Sequence, residues 1–306
     1  MTYTMSNSLK EEIVNYAKDK GLTLSNGYYY DFRDNIFGGK MNREIEESFL
    51  EGDGNELVSK ACAPHSSSML GYNFFHWIKE DNPLTINFKD GINTYNKVFF
   101  EVKIPVISRG YANMDVVLRN EKGDWLFIES KFLEYLNTGS FDLSESYKKK
   151  KDKDPYYYNG NKWRRFINNY SFNAKGQYWG GIKQELCHLI GLTNWMQYKE
   201  AKPIQIKKNN YKYDGSEIRF INLVFEPNSK DFKKEHNSFS NYQTLYEEFS
   251  DNLNSTNLNK NLVGKLKMEF MTYSELWENI KNNTVLVQNG LIDYLKNRYM
   301  AFAEIK

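Results

Sequence analysis

Between Phe99 and Phe132 the chain reads FFEVKIPVISRGYANMDVVLRNEKGDWLFIESKF. Apolar runs of strand length alternate there with polar breaks, a pattern that builds a sheet rather than a helix. The break Asn120-Glu121-Lys122-Gly123-Asp124 fits a three-residue hairpin loop in which a type I turn ends in a left-handed Gly123, forming a G1 bulge. That turn sets the register. Asn120 pairs with Asp124, and counting outward brings Asp115 directly opposite Glu129. Alternation along the strand turns Glu129 and Lys131 to the same face as Trp125 and Phe127, and Ser130 to the other.

Directly opposed residues have Cβ atoms about 4.5–5.5 Å apart. Two carboxylates at that spacing repel unless cationic groups neutralise them. Lys131 is one such group, and a divalent cation is another. Donors that are all oxygen, with the Ser130 carbonyl as a third ligand beside Asp115 and Glu129, select Mg²⁺ or Mn²⁺. Such an ion activates water and polarises phosphate oxygens, which phosphodiester hydrolysis requires. Lys131 would orient or deprotonate the water, or stabilise charge in the transition state. The plainer alternative for Asp115, Glu129 and Lys131 is a solvated cross-strand charge network.

An acid within one strand, a short hairpin and E-x-K on the next resembles the PD-(D/E)XK nuclease superfamily, the restriction-endonuclease-like fold. The match is Met114-Asp115 and Glu129-Ser130-Lys131, with Met114 in place of the motif's proline. The strand VFFEVKIPV precedes it and the helix GGIKQELCHLIGL follows in the expected order. The resemblance spans roughly residues 60–226. It implies an α/β fold with a mixed β-sheet core flanked by helices, and a Mg²⁺- or Mn²⁺-dependent endonuclease acting on double-stranded DNA in restriction or another defence. Superfamily members often place a further acid on a helix before the sheet. The helix starting at Ser66 offers Asn73 but no acid, and Glu56 lies on the segment before it, so both are candidates. The resemblance also makes Gln184, ahead of Lys183, a phosphate or water contact. A second E-x-K, Glu101-Val102-Lys103, has only Asp90 upstream, in an Asp-Gly turn rather than opposite Glu101. A third, Glu304-Ile305-Lys306, closes the chain.

Residues 146–166, SYKKKKDKDPYYYNGNKWRRF, interleave Lys148, Lys149, Lys150, Lys151, Lys153, Arg164 and Arg165 with Tyr156 to Tyr158 and Trp163. Cations release counterions from phosphates and rings stack on bases, so this segment reads as a nucleic-acid clamp. Its alternative is a solvated loop.

The remainder reads as one embellished domain over 1–306, its core near 60–226, with helical additions over 1–59 and 227–306. Ser8 and Glu11 have capping-box spacing for a first helix over 8–20. Further helices are expected at 42–50, 53–60 and from Ser66, with strands at 84–88, 97–107, 113–119 and 124–132. Residues 136–176 read as a long loop. A helix through Ile182 and Ile190, strands at 204–206 and 218–225, a partly helical excursion over 228–261 and a helical tail over 273–302, broken at Asn289-Gly290, complete the order.

With 41 Lys+Arg against 39 Asp+Glu in 306 residues, the net charge of +2 excludes a histone-like polycation. The 23 Tyr and 20 Phe make much of the burial aromatic. Two cysteines, Cys62 and Cys187, exclude a disulfide framework, and they have no paired zinc spacing with His65, His76, His188 or His236, which are expected to be packed or on the surface. P-loop, G-x-G-x-x-G and H-E-x-x-H motifs are absent. No run approaches the roughly 20 apolar residues of a membrane span. Without a signal-like N-terminus, a cytoplasmic location is expected. Symmetric cutting of two strands fits a homodimer. The rival functions are a catalytically idle nucleic-acid-binding or assembly module of the same fold, and an unrelated α/β interaction protein.

Overall fold

The computed structural model describes residues 8–51, 57–107, 110–136, 160–169, 179–197, 203–206, 209–255 and 266–305. Helix α1 (Leu9–Asp19) starts with the expected capping box: the Ser8 hydroxyl accepts from the Glu11 N–H, and the Ser8 N–H donates to Glu11 Oε2. Its Leu9, Ile13 and Ala17 are buried. A short hairpin, β1 (Leu24–Ser25) and β2 (Tyr28–Tyr29), leads to α2 (Arg43–Glu51). The helix expected over 53–60 is not formed in its described part. Residues 57–59 form a turn, followed by a single 3-10 turn at Lys60–Cys62, and Pro64 bars any continuation. Ser66 caps α3 (Ser67–Phe75), accepting from the Met69 N–H.

Strands β3 (Leu84–Phe88) and β4 (Gly91–Tyr95) pair around Asp90-Gly91 as a separate two-stranded sheet. The main sheet begins with β5 (Lys97–Ile107), β6 (Gly110–Arg119) and β7 (Trp125–Lys131). Then come α4 (Gly160–Asn169), α5 (Trp179–Gln197), β8 (Ile204–Ile206), β9 (Asn209–Tyr211) and β10 (Ile218–Val224). The chain ends with α6 (Lys233–Ser255), β11 (Leu266–Thr272), α7 (Tyr273–Ile280), α8 (Thr284–Gln288) and α9 (Leu291–Arg298). Gly290, at φ 83°, takes the left-handed conformation that makes the expected break before α9.

The molecule is a mixed α/β structure whose seven-stranded main sheet runs β11-β10-β7-β6-β5-β8-β9, flanked by helices. Strand β10 is parallel to both β7 and β11, whereas β5, β6 and β7 are antiparallel neighbours. Every residue of β7 and β10 is buried, as central strands covered on both faces require. Helix α3 closes one face, where a Cβ on Gly71 would meet Val116 Cγ2 at 3.3 Å and Ser130 Oγ at 3.5 Å. Helix α5 closes the other through Gly191, whose added Cβ would lie 2.6 Å from Ile104 Cγ2. In mid-β5, Glu101 has φ 51°, a left-handed backbone rare outside glycine.

Further features bear on the sequence reading. Residues 160–169, within the expected loop, form α4. The excursion expected to be partly helical does hold a 23-residue helix, α6, anchored by Phe239, Tyr242, Tyr246, Phe249 and Leu253. Strand β11, which joins the sheet beside β10, was not expected at all.

Candidate active site

The hairpin between β6 and β7 closes as its sequence dictates. The Asn120 N–H donates to Asp124 O at 3.1 Å, the Gly123 N–H to Asn120 O at 3.1 Å, and Gly123 is left-handed at φ 93°. The ladder pairs Arg119 with Trp125, Leu118 with Leu126, Val117 with Phe127 and Val116 with Ile128. One further step in that register sets Asp115 opposite Glu129.

Beyond Val116 the Asp115 carboxylate takes over from the backbone: the Ser130 N–H donates to Asp115 Oδ2 at 2.7 Å. Ser130's side chain faces away, its hydroxyl donating to Ser67 O at 2.9 Å and lying 2.7 Å from the Tyr273 hydroxyl. N–H and C=O of one strand residue leave on the same side, so the Ser130 carbonyl also points toward β6.

On the α5 face, the Lys131 ammonium is hydrogen-bonded to Glu129 Oε1 and donates to Gln184 Oε1 at 2.6 Å. Lys131 and Glu129 are buried, while Gln184 is exposed and Asp115 half-buried, so the group reaches solvent at those two residues. A cavity of about 730 Å³ lined by Lys10, Lys60, Ser67 and Glu134 lies elsewhere, on the α3 side, and none of the three charged residues lines it.

The electrostatics follow from burial and charge. Burial, reinforced by Glu129 and Glu101, pushes the Asp115 carboxyl well above its ordinary pKa, against the opposing pull of Lys131 and the Ser130 N–H. Burial alone would lower the Lys131 pKa, but the Glu129, Glu134 and Asp115 charges outweigh it and raise it instead. Lys131 therefore stays an ammonium at neutral pH. It can orient a water or stabilise negative charge, but it is a poor base.

Two residues of this group were missed by sequence reasoning. His188 Nδ1 lies 3.5 Å from Glu129 Oε2, and its Nε2 is 3.1 Å from Asn113 O. Glu185, one turn before it on α5, is fully buried, and neither of its carboxylate oxygens has a hydrogen-bond partner. Burial, with Glu129 nearby, raises its pKa well above the ordinary value. The available signal was the polar spacing Glu185-x-x-His188 inside an otherwise apolar helix, where two buried polar residues need a reason.

Asn73 sits apart from this group. It is fully buried on α3, across the sheet from Lys131. Its amide donates to Asn35 O and the Tyr299 hydroxyl and accepts from the Phe37 N–H, so it clamps chain segments together instead of joining the carboxylates. Glu56 and Lys148 to Lys151, with Lys153 and Tyr156 to Tyr158, lie outside the described residues. Arg165 is exposed on α4 and Arg164 half-buried. Trp163 corrects the clamp reading: it is 1% exposed and packs edge-on against Phe166, so it offers no ring to a base. Glu101, set aside as part of a weaker motif, is bracketed by the pairs Phe100–Val116 and Val102–Met114, and so lies opposite Asp115 on its other side.

Among the described residues, no three His, Cys, Asp or Glu side chains gather into a metal-binding cluster. A hard divalent cation held by two carboxylates, a backbone carbonyl and waters does not need one. The donors fit that description, because Glu129 Oε2 is buried without a hydrogen-bond partner and Asp115 is destabilised as an anion.

Sheet order, strand register and the placing of Asp115 against Glu129 and Lys131 put the protein in the restriction-endonuclease-like class of α/β folds. Within that class, residues 10–300 match the family described as restriction endonuclease associating with ARP, and the chain belongs to it. A search of curated proteins and of solved structures found no match. No helix among the described residues is long and apolar enough to cross a membrane.

Proposed function

We propose that the protein is a metal-dependent endonuclease that hydrolyses phosphodiester bonds in double-stranded DNA, in a restriction or other defence role. The observation that carries this reading is the facing pair Asp115 and Glu129 with the Lys131 ammonium on Glu129. Asp115, Glu129 and the Ser130 carbonyl would hold Mg²⁺ or Mn²⁺. When bound, the ion supplies Lewis-acid polarisation of the scissile phosphate. Lys131, held charged, stabilises the negative charge that builds on the phosphate oxygens. Gln184, exposed and bonded to Lys131, orients the attacking water or a phosphate oxygen. Arg164 and Arg165 on α4, with the lysines at 148–151, would grip the backbone, and two copies would cut the two strands. Its partner would be an ARP, the associate given in the family's description.

Plasmid DNA incubated with the protein and Mg²⁺ tests this. Cleavage is expected, abolished by EDTA and by Asp115→Asn or Lys131→Ala. If both variants cut as well as the parent, the site assignment is wrong. Salt-sensitive DNA binding without cleavage in Mg²⁺ or Mn²⁺ would favour the idle binding module instead, a reading that the burial of Glu129 and Lys131 suits.

A further inference from the structure

The cavity of about 730 Å³ on the α3 side is walled by α1, β2, the turn into α3 and the residues that follow β7. Its volume lies in the range of cavities that take whole small molecules. A lone phosphate would leave most of it empty.

Its charges fit an anion. Lys10 and Lys60 line it, and both are exposed. A third cation stands behind the wall. Arg298 is 2% exposed and donates to the Tyr29 hydroxyl at 3.1 Å and to Asn35 Oδ1, both neutral, and it forms no ion pair among the described residues. Tyr29 and Ala63 line the cavity, and the Asn35 amide donates to Ala63 O at 2.7 Å, so the guanidinium is one side chain removed from the space. A buried guanidinium without a carboxylate leaves positive charge beside the cavity that an anion would offset. Ser67 and Ser68 open α3, so their N–H groups lack intrahelical acceptors, whereas the Met69 N–H is taken by the Ser66 hydroxyl. Those groups add to the preference for negative charge. Among the described lining residues the one carboxylate is Glu134, whose Oε2 accepts from the Phe132 N–H at 2.6 Å. His65 adds no charge at neutral pH, since burial and Lys10 lower its pKa to about 4. The rest of the lining is apolar or aromatic, with Val58, Leu133, Leu136 and the ring of Tyr28, which is 46% exposed and offers a stacking face.

We propose that this cavity binds a nucleotide, with the phosphate at Lys10, Lys60 and the first turn of α3 and the base against Tyr28. A free nucleotide and a nucleotide of a nucleic-acid strand present the same phosphate and ring. The cavity is distinct from the charged group on β7 but lies close behind it: Ser67, in its wall, accepts the Ser130 hydroxyl at 2.9 Å, and Leu133 and Glu134 follow shortly after Lys131.

Isothermal titration calorimetry of the full chain in EDTA tests this without involving a cation, so its outcome is independent of the proposed cleavage. The probes are adenosine 5′-monophosphate and, separately, a short single-stranded oligodeoxynucleotide. Binding of at least one is expected, and that ligand should raise the melting temperature of the parent. Changing Lys10→Ala together with Lys60→Ala alters only exposed side chains and should weaken binding at least about ten-fold, the scale of a lost charge-assisted contact. Tyr28→Ala should weaken it several-fold through lost stacking. Ser68→Glu places a carboxylate where it suits the helix dipole, and should abolish binding with the fold intact. The monophosphate bound with these losses assigns the cavity to free nucleotides, and the oligonucleotide bound alone with the same losses assigns it to a strand. Failure of both ligands to bind even at high concentration would overturn the proposal, as would binding that survives all of these variants.

Discussion

Gly191 lies one turn after His188 on α5, at the helix's closest approach to β5. A methyl group there would stand 2.6 Å from Ile104 Cγ2 and 3.3 Å from both Pro105 O and Val106 Cγ2. Carbon atoms settle at about 3.5–4.0 Å, so the Gly191→Ala helix must lift by about 1 Å or Ile104 must swing away. Ile104 is fully buried and Pro105 O is backbone, so neither yields cheaply. Overpacking of this kind costs about 1–3 kcal/mol, and a contact this short belongs near the upper end. Alanine's better helix propensity returns about 1 kcal/mol, leaving a net loss of about 2 kcal/mol. Urea unfolding followed by tryptophan fluorescence should show that loss, with a melting temperature a few degrees lower. The Ile104→Ala, Gly191→Ala pair should be less destabilised than the sum of its single changes, since each relieves the other. A Gly191→Ala protein as stable as the parent would refute the close approach and the helix placement that sets His188 and Gln184 over the sheet.

Three further outcomes follow from the charges. Lys131→Met leaves Glu129 buried without its ammonium and should cost about 3–5 kcal/mol in urea unfolding, whereas adding Glu129→Gln should recover much of it; equal costs would argue against the pair. Because burial raises the Glu185 pKa, the stability it lends is complete below the ordinary carboxyl range and is lost as pH climbs toward the raised value. Glu185→Gln should therefore flatten the fall in stability as pH rises above the ordinary carboxyl range, and parallel curves for parent and variant would contradict this. Asp90 behaves oppositely. Its hydrogen bond to Lys267, helped by Arg219, holds its pKa down at about 2, so its contribution persists above the ordinary range and disappears as pH falls through that value. Asp90→Asn should remove that part of the acid transition seen by circular dichroism.

The pairing of β6 with β7 was legible because one local signal, a three-residue loop ending in a left-handed glycine, controls register over the whole hairpin. The same reasoning located α3 and α1 from their serine caps. Strand β11 was not legible. Its LKMEFMT alternates charged and apolar residues like a surface segment, and its strand character comes from parallel pairing to β10 and from Lys267 bonding Asp90 and Glu217. The strand expected at 84–88 pairs instead with the unexpected β4 in a separate sheet, because local pattern does not say which strand a segment joins. Asn73 drew attention as a polar residue at the expected place on a helix, yet its amide serves the clamp to Asn35, Phe37 and Tyr299. His188 and Glu185 were passed over for the converse reason, since an apolar stripe hides the polar residues set into it. Their relation to Glu129 exists only once α5 lies across β7.

Strand β7 is hydrogen-bonded to a neighbour on each edge, and all seven of its side chains are buried. Amide exchange from such a segment requires the sheet to open as a unit, so its deuterium uptake should be among the slowest in the chain. The glutamate and lysine thus ride on a strand paired on both edges and buried throughout, while Gln184 meets solvent from a covering helix. Changes in that outer layer can be made without disturbing the strand beneath it.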